Sequence, residues 1–202
     1  MAVTMLPSQI GLEPAARLRG DLVLPGDKSI SHRSLMLALL AAGETRITGA
    51  GDGADVRSSA EIVRALGAGV TRAAGEAGNV DYVVESGGVT AIHDPADALD
   101  CGNSGTSLRL FAGILAGLPV QATLDGDASL RSRPMARIIE PLRAMGVEIH
   151  GSGPDDARPP LRVTGRDALR AIDYTTPVPS AQVKSAILLA GLAAAGTTRV
   201  RE

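Results

Sequence analysis

The chain has 202 residues, a net charge of −2 and 45% hydrophobic residues, enough apolar material for one large domain and too little positive charge for a general nucleic-acid binder. One Phe, two Tyr and no Trp leave no stacking platforms for single strands, and the one cysteine, Cys101, excludes an internal disulfide and fits a reducing compartment. Residues 1–20 lack the basic-then-apolar pattern of a secretory leader, and the longest apolar runs, 35–42 and 186–195, fall short of the roughly 20 residues that span a bilayer, so a soluble, cytoplasmic protein without a membrane partner is expected.

The first predicted element opens at Leu24-Pro25-Gly26-Asp27-Lys28-Ser29-Ile30-Ser31-His32-Arg33, a polar turn running into an Ala/Leu-rich helix. Ser29 or Ser31 is the expected N-cap, which leaves Lys28 just ahead of the helix and Arg33 about one turn inside. A short strand follows at 45–48. A helix at 55–66 then carries Ile62, Val63 and Leu66 at helical spacing, with Gly67 as its terminator. Segments 69–71 and 80–84 are strand-like.

The series then restarts. Gly102-Asn103-Ser104-Gly105-Thr106-Ser107-Leu108-Arg109 is a second polar turn opening an apolar helix, and 120–124 is a strand. The stretch from Asp127 to Arg133-Pro134 leads into a helix at 135–145, with Ile138, Ile139 and Leu142 on one face and Gly146 behind it. Strand segments at 147–149 and 161–164 flank a Gly/Pro-rich loop. The third start is Pro179-Ser180-Ala181-Gln182-Val183-Lys184-Ser185, with Ser180 as its cap and a strand at 197–200 beyond it. Arg33, Arg109 and Lys184 recur at a period of about 75 residues.

Each unit therefore reads strand, helix, strand, helix, strand, strand. This is an α/β (α+β) fold of mixed sheets with parallel pairs covered by helices. The third unit reaches Glu202 before its second helix, so it is expected to be incomplete, with an uncovered core face.

A helix start offers free backbone N–H groups and the positive end of the helix dipole, which together suit an anion. Lys28 and Lys184 are the only lysines, and both sit at such starts. On the bare motif, Lys28 and Arg33 fit an ordinary capped helix with solvated charges as well as an anion seat. Arg133 in isolation reads as half of a surface ion pair, although its fork at a helix mouth suits a carboxylate or phosphate. Lys184 reaches either the site or only the helix surface. Arg131, Arg137 and Arg143 read as solvated helix charges. His32, His93 and His150 lack ligand spacing and read as core or solvated residues, Cys101 as a small packing residue. No metal or dinucleotide fingerprint is present.

Taken together, the four stretches at 24–33, 102–106, 126–135 and 180–186 resemble the enolpyruvyl transferase family, and within it the N-terminal portion of the branch acting on shikimate 3-phosphate. The resemblance implies βαβαββ units about a pseudo-threefold axis. Residues 1–20 would belong to a partner domain, and residues 21–202 would form a substrate-binding domain of three repeats, truncated at its C-terminal end. It implies transfer of the enolpyruvyl group of phosphoenolpyruvate to the 5-hydroxyl of shikimate 3-phosphate, with release of phosphate and without metal or organic cofactor. Carried over by position, Lys28 would be catalytic. Lys28, Ser29, Arg33, Ser180, Ala181 and Gln182 would hold shikimate 3-phosphate. Lys28, Asn103, Gly105, Arg133 and Gln182 would hold phosphoenolpyruvate. The family's acid–base carboxylate would lie in a further C-terminal domain. Two alternatives stand beside this reading: a non-catalytic phospho-ligand-binding half of a split enzyme, and the sibling branch acting on UDP-N-acetylglucosamine, whose reactive loop cysteine Cys101 does not match.

Overall fold

The computed structural model describes residues 11, 14, 17 and 19–202. The expectation for residues 1–20 lies almost wholly outside them. The first unit comprises α1 (Lys28–Leu40), β1 (Ala42–Ala50), α2 (Ala54–Ala65), β2 (Gly69–Ala74) and β3 (Val80–Gly87). The second comprises β4 (Leu99–Asp100), α3 (Gly105–Ala116), β5 (Gln121–Asp125), α4 (Ala128–Arg131), α5 (Ala136–Ala144), β6 (Glu148–Ser152) and β7 (Arg158–Thr164). The third comprises β8 (Leu169–Arg170), β9 (Asp173–Thr175), α6 (Ala181–Ala190), β10 (Ala194–Ala195) and β11 (Arg199–Arg201).

The parallel pairs expected of crossover helices occur in the second and third units. There β4 runs parallel to β5 across α3, and β8 and β9 run parallel to β10 and β11 across α6. The second sheet has the order β4-β5-β7-β6, its other pairs being antiparallel. The first unit departs from expectation. Its sheet, β1-β3-β2, is antiparallel throughout. No described strand precedes α1, and Leu22, Val23 and Leu24 stand exposed instead.

The repetition is confirmed in the way α2 and α5 stop. Gly67 (φ +108°) and Gly146 (φ +94°) take the left-handed conformation that glycine tolerates. In both, the residue after the glycine bonds five back (Ala68 N to Val63 O, 3.3 Å; Val147 N to Leu142 O, 3.1 Å). The glycine itself bonds three back, to Arg64 O and Arg143 O. Arg64 and Arg143 then donate to Val70 O and Ile149 O at the start of the next strand. Arg143 also pairs with Asp156, so it is a structural tie rather than a free charge.

α3 is apolar all round and buried from Leu108 to Ala116 except for Arg109, as suits a central helix. A Cβ on Gly113 would lie 2.3 Å from Ala186 O, so the backbones of α3 and α6 are in contact there. α2 packs against α1 and α3, and α5 packs against α3 and α6. The corresponding interval between α6 and α1 is an open cavity of about 280 Å³ lined by Met36, Leu37, Leu188, Leu189 and Leu192, with Arg33 and Ser185 at one end. No described helix is long and apolar enough to cross a membrane.

Candidate functional site

Four helices begin at the same end of the molecule, as their cross-links show. His32 of α1 meets Ser59 of α2, Ser59 meets Ser107 of α3, and Arg33 and Arg109 reach Ser185 and Gln182 of α6. Every one of these residues lies in the first two turns of its helix. The starts of α1, α3 and α6 are capped alike by Asp27, Ser104 and Ser180, whose side-chain oxygens accept from Ile30 N (2.7 Å), Ser107 N (3.0 Å) and Val183 N (3.4 Å). This corrects the expected cap of α1. Asp27, not Ser29 or Ser31, holds that position, so Lys28 is the first helical residue. Ser31 instead donates to Asp27 O and accepts from Gly51 N.

Two guanidinium groups converge over the first residue of α3. A Cβ on Gly105 would stand 2.5 Å from Arg109 Nη1 and 3.3 Å from Arg133 Nη1. Among the described residues neither arginine has a carboxylate partner. Arg133 donates to Asn103 Oδ1, and Asn103 Nδ2 donates to Asp127 (2.7 Å), which caps α4 and is held below the usual carboxylate range chiefly by that bond. Arg109 donates to Gln182 Oε1 (2.7 Å) and Gly105 O (3.3 Å), and Gln182 Nε2 donates to Thr106 Oγ1 (2.9 Å). Burial, then the charges of Arg133 and Arg137, lower the pKa of Arg109. Cations crowded without a counter-ion form a seat for an external anion.

The second group lies on α1. Lys28 is paired with Asp55 in the first turn of α2. Arg33 is half-buried and donates to Ser29 O (3.1 Å) and Ser185 Oγ (2.8 Å), again without a described carboxylate partner. The two groups meet on α6, where Ser185 and Gln182 are three residues apart and therefore on one face. Ser180 and the exposed Ala181 open that helix. Lys184 turns away to Glu202 (2.6 Å), whose other oxygen accepts from Ser180 N at 3.2 Å, so the helix-surface alternative holds for this lysine.

Three neighbours carried no role in the sequence. Asp55 is an ordinary helix-start aspartate until α2 is laid beside α1. Arg109 was visible as a recurring cation, but not as the partner of Arg133. Arg137 reads as a solvated charge yet adds to the field on Arg109. His32 proves to be a core residue, fully buried, with its pKa lowered to about 4 by burial and then by Lys28 and Arg33, against the opposing pull of Asp55. Cys101 is also fully buried, and burial raises its thiol pKa far above the ordinary value, so it packs rather than reacts. Arg131 is paired with Asp125. No cluster of three or more His, Cys, Asp or Glu able to hold a metal occurs among the described residues.

The family model for EPSP synthase (3-phosphoshikimate 1-carboxyvinyltransferase) matches residues 12–202. A 3-phosphoshikimate 1-carboxyvinyltransferase of Gloeobacter violaceus is 54% identical over 192 residues, which are 95% of this chain and 43% of the relative. That of Methylobacterium radiotolerans is 50% identical over 196 residues, 97% of this chain and 42% of the relative. The solved EPSP synthase of Acinetobacter baumannii aligns with a TM-score of 0.82 at 43% identity, covering 91% of this chain and 40% of that one. The chain thus spans about two fifths of the length of the relatives it matches.

Proposed function

Because the chain belongs to the EPSP synthase (3-phosphoshikimate 1-carboxyvinyltransferase) family, we propose that it supplies the substrate-holding half of a site that moves the enolpyruvyl group of phosphoenolpyruvate onto the 5-hydroxyl of shikimate 3-phosphate. Residues 21–202 act as its substrate-binding domain. The observation that carries this reading is the pair of unneutralised guanidinium groups, Arg109 and Arg133, over the bare backbone at Gly105. A small dense anion at the start of α3 would meet both forks, the helix dipole and no Cβ.

Phosphoenolpyruvate takes that seat, with Gly105, Arg133, Asn103 and Gln182 around it. Shikimate 3-phosphate lies along the starts of α1 and α6, on Lys28, Ser29, Arg33, Ser180, Gln182 and the backbone of Ala181. Lys28 stands between the two and is the catalytic cation. The hydroxyl gives up its proton as its oxygen adds to C2 of phosphoenolpyruvate and the methylene carbon gains a proton. The tetrahedral adduct then breaks its C2–O bond to phosphate while the new methyl group loses a proton, which restores the double bond and releases phosphate. The residues of this chain neutralise and align the two anions, which is the proximity and electrostatic part of the rate enhancement. The carboxylate that exchanges the proton belongs to a partner domain.

Calorimetry of the 202-residue chain with each substrate, paired with a phosphate-release assay, tests the proposal. Binding of both, loss of phosphoenolpyruvate binding in Arg133→Gln and no release are expected. Failure to bind either substrate overturns the reading of the site, and release by this chain alone overturns the division of labour.

A further inference from the structure

A chain of buried hydroxyl groups crosses the first turns of α1, α2 and α3. His32 Nδ1 lies 2.7 Å from Ser59 Oγ, Ser59 Oγ lies 3.0 Å from Ser107 Oγ, and Ser107 Oγ lies 2.8 Å from Ser104 Oγ, the cap of α3. His32, Ser59, Ser107 and Ser104 are all buried. At the far end of the ring, His32 Nε2 is buried with no hydrogen-bond partner among the described residues. Such a group is costly, so its protonation state matters. The charged groups that act on the ring are Lys28 and Arg33 on its own helix and Asp55 on α2, two cations against one anion. Nδ1 has Ser59 Oγ within hydrogen-bond distance, whereas an N–H at Nε2 would be buried with no acceptor among the described residues, so the geometry favours the Nδ1–H form. The proton then sits on Nδ1, and the bonds run one way, from His32 to Ser59 to Ser107 to Ser104.

One end of this wire is the turn that bears Lys28 and Arg33. The other is the cap immediately before Gly105. We propose that His32, neutral and protonated on Nδ1, is a positioning residue that holds these two halves of the anion site in register through Ser59 and Ser107. It touches no ligand. The inference rests on the substrate assignment given above only for which anion each half takes.

The test uses Ser59→Ala, which cuts the wire without altering a proposed ligand contact, together with His32→Leu and His32→Asn. Asn retains an N–H donor for Ser59, whereas Leu does not. Calorimetric titration with phosphoenolpyruvate in the presence of shikimate 3-phosphate should show an affinity loss of about fivefold to tenfold for Ser59→Ala and His32→Leu, on the scale of one buried hydrogen bond. His32→Asn should restore affinity to within about threefold of wild type. In a Lys28→Ala background the Ser59→Ala effect should shrink, since a wire acting through that turn is coupled to it. Nitrogen-15 spectra of labelled wild-type imidazole should show His32 as the Nδ1–H tautomer. Equal affinities in wild type and Ser59→Ala, or an Nε2–H tautomer, overturn the inference. If the wild type binds neither substrate, the functional assignment fails, and the spectra together with Ser59→Ala melting still decide the wire: the inference survives only with the Nδ1–H tautomer and a lower melting temperature.

Discussion

Gly105→Ala isolates the seat at the start of α3. The new methyl group would stand 2.5 Å from Arg109 Nη1, about 1 Å inside ordinary contact, and 3.3 Å from Arg133 Nη1. Both obstructing atoms are the far ends of flexible side chains, so the protein relaxes by moving the guanidinium of Arg109 rather than its backbone. That movement pulls Arg109 from Gly105 O and strains its bond to Gln182 Oε1. The methyl also fills the volume from which an anion would reach two backbone-level donors. Loss of one to two charge-assisted hydrogen bonds at about 1.5–3 kcal/mol each weakens phosphoenolpyruvate binding by at least about tenfold. Folding stability changes by less than about 1 kcal/mol, because alanine is a better helix former than glycine and no backbone is displaced. Calorimetry and thermal melting of the same preparation measure the two effects. Unchanged affinity, or a fall in melting temperature large enough to signal a distorted α3, would refute the reasoning.

Gly113→Ala is the opposite case. Its methyl would lie 2.3 Å from Ala186 O and 2.9 Å from Ala186 C, both backbone, so α3 and α6 must separate and the melting point should fall by the equivalent of about 2–3 kcal/mol. Acid should destabilise the fold through His32. Its stability contribution is complete above the unfolded pKa of 6.5 and is lost as the pH falls towards the folded value of about 4, where the unfolded chain alone takes the proton. The loss is about 3 kcal/mol across that window, measurable as a falling urea midpoint and flattened in His32→Asn. The Cys101 thiol should react with a disulfide reagent only at the rate of global unfolding, and a fast native reaction would contradict its burial.

Much of the fold was legible because it is written twice. The apolar set Ile62, Val63 and Leu66 closed by Gly67 has its like in Ile138, Ile139 and Leu142 closed by Gly146, and the equivalent positions at the two helix ends are Val63, Arg64 and Gly67 against Leu142, Arg143 and Gly146. The structure gives both sets the same helix, the same left-handed glycine and the same arginine tie. The cap of α1 was misplaced because Asp27, Ser29 and Ser31 are all good capping residues within four positions. Only the approach of Gly51, which engages Ser31, decides among them. The antiparallel first sheet was not legible either, since whether residues 21–24 join it depends on pairing that local propensity does not encode. In the site, Lys28, Arg33, Gly105 and Arg133 stood out as single features. Their grouping required α6, which brings Gln182 and Ser185 between arginines more than 70 residues away in sequence. Asp55 and the serine wire could not be read at all, because serine and aspartate near helix starts are common for reasons of capping alone.

Repetition also explains why a site forms at this end. Three equivalent units place three capped helix starts side by side, and each start by itself is only a weak electropositive point. What separates them is the residue just after the cap: Lys28 in α1, Gly105 in α3 and Ala181 in α6. The first brings an ammonium group paired with Asp55, the second carries no Cβ, and the third is a small exposed residue. The fifth residue of each helix differs as well. His32 anchors α1 inward, Arg109 reaches across to α6, and Ser185 receives Arg33. A symmetric set of starts would hold three anions alike and discriminate none. Substitution at two fixed positions of the repeat gives the same scaffold two unlike cationic groups that share α6 as a wall, the asymmetry that the proposed reaction between two different anions needs.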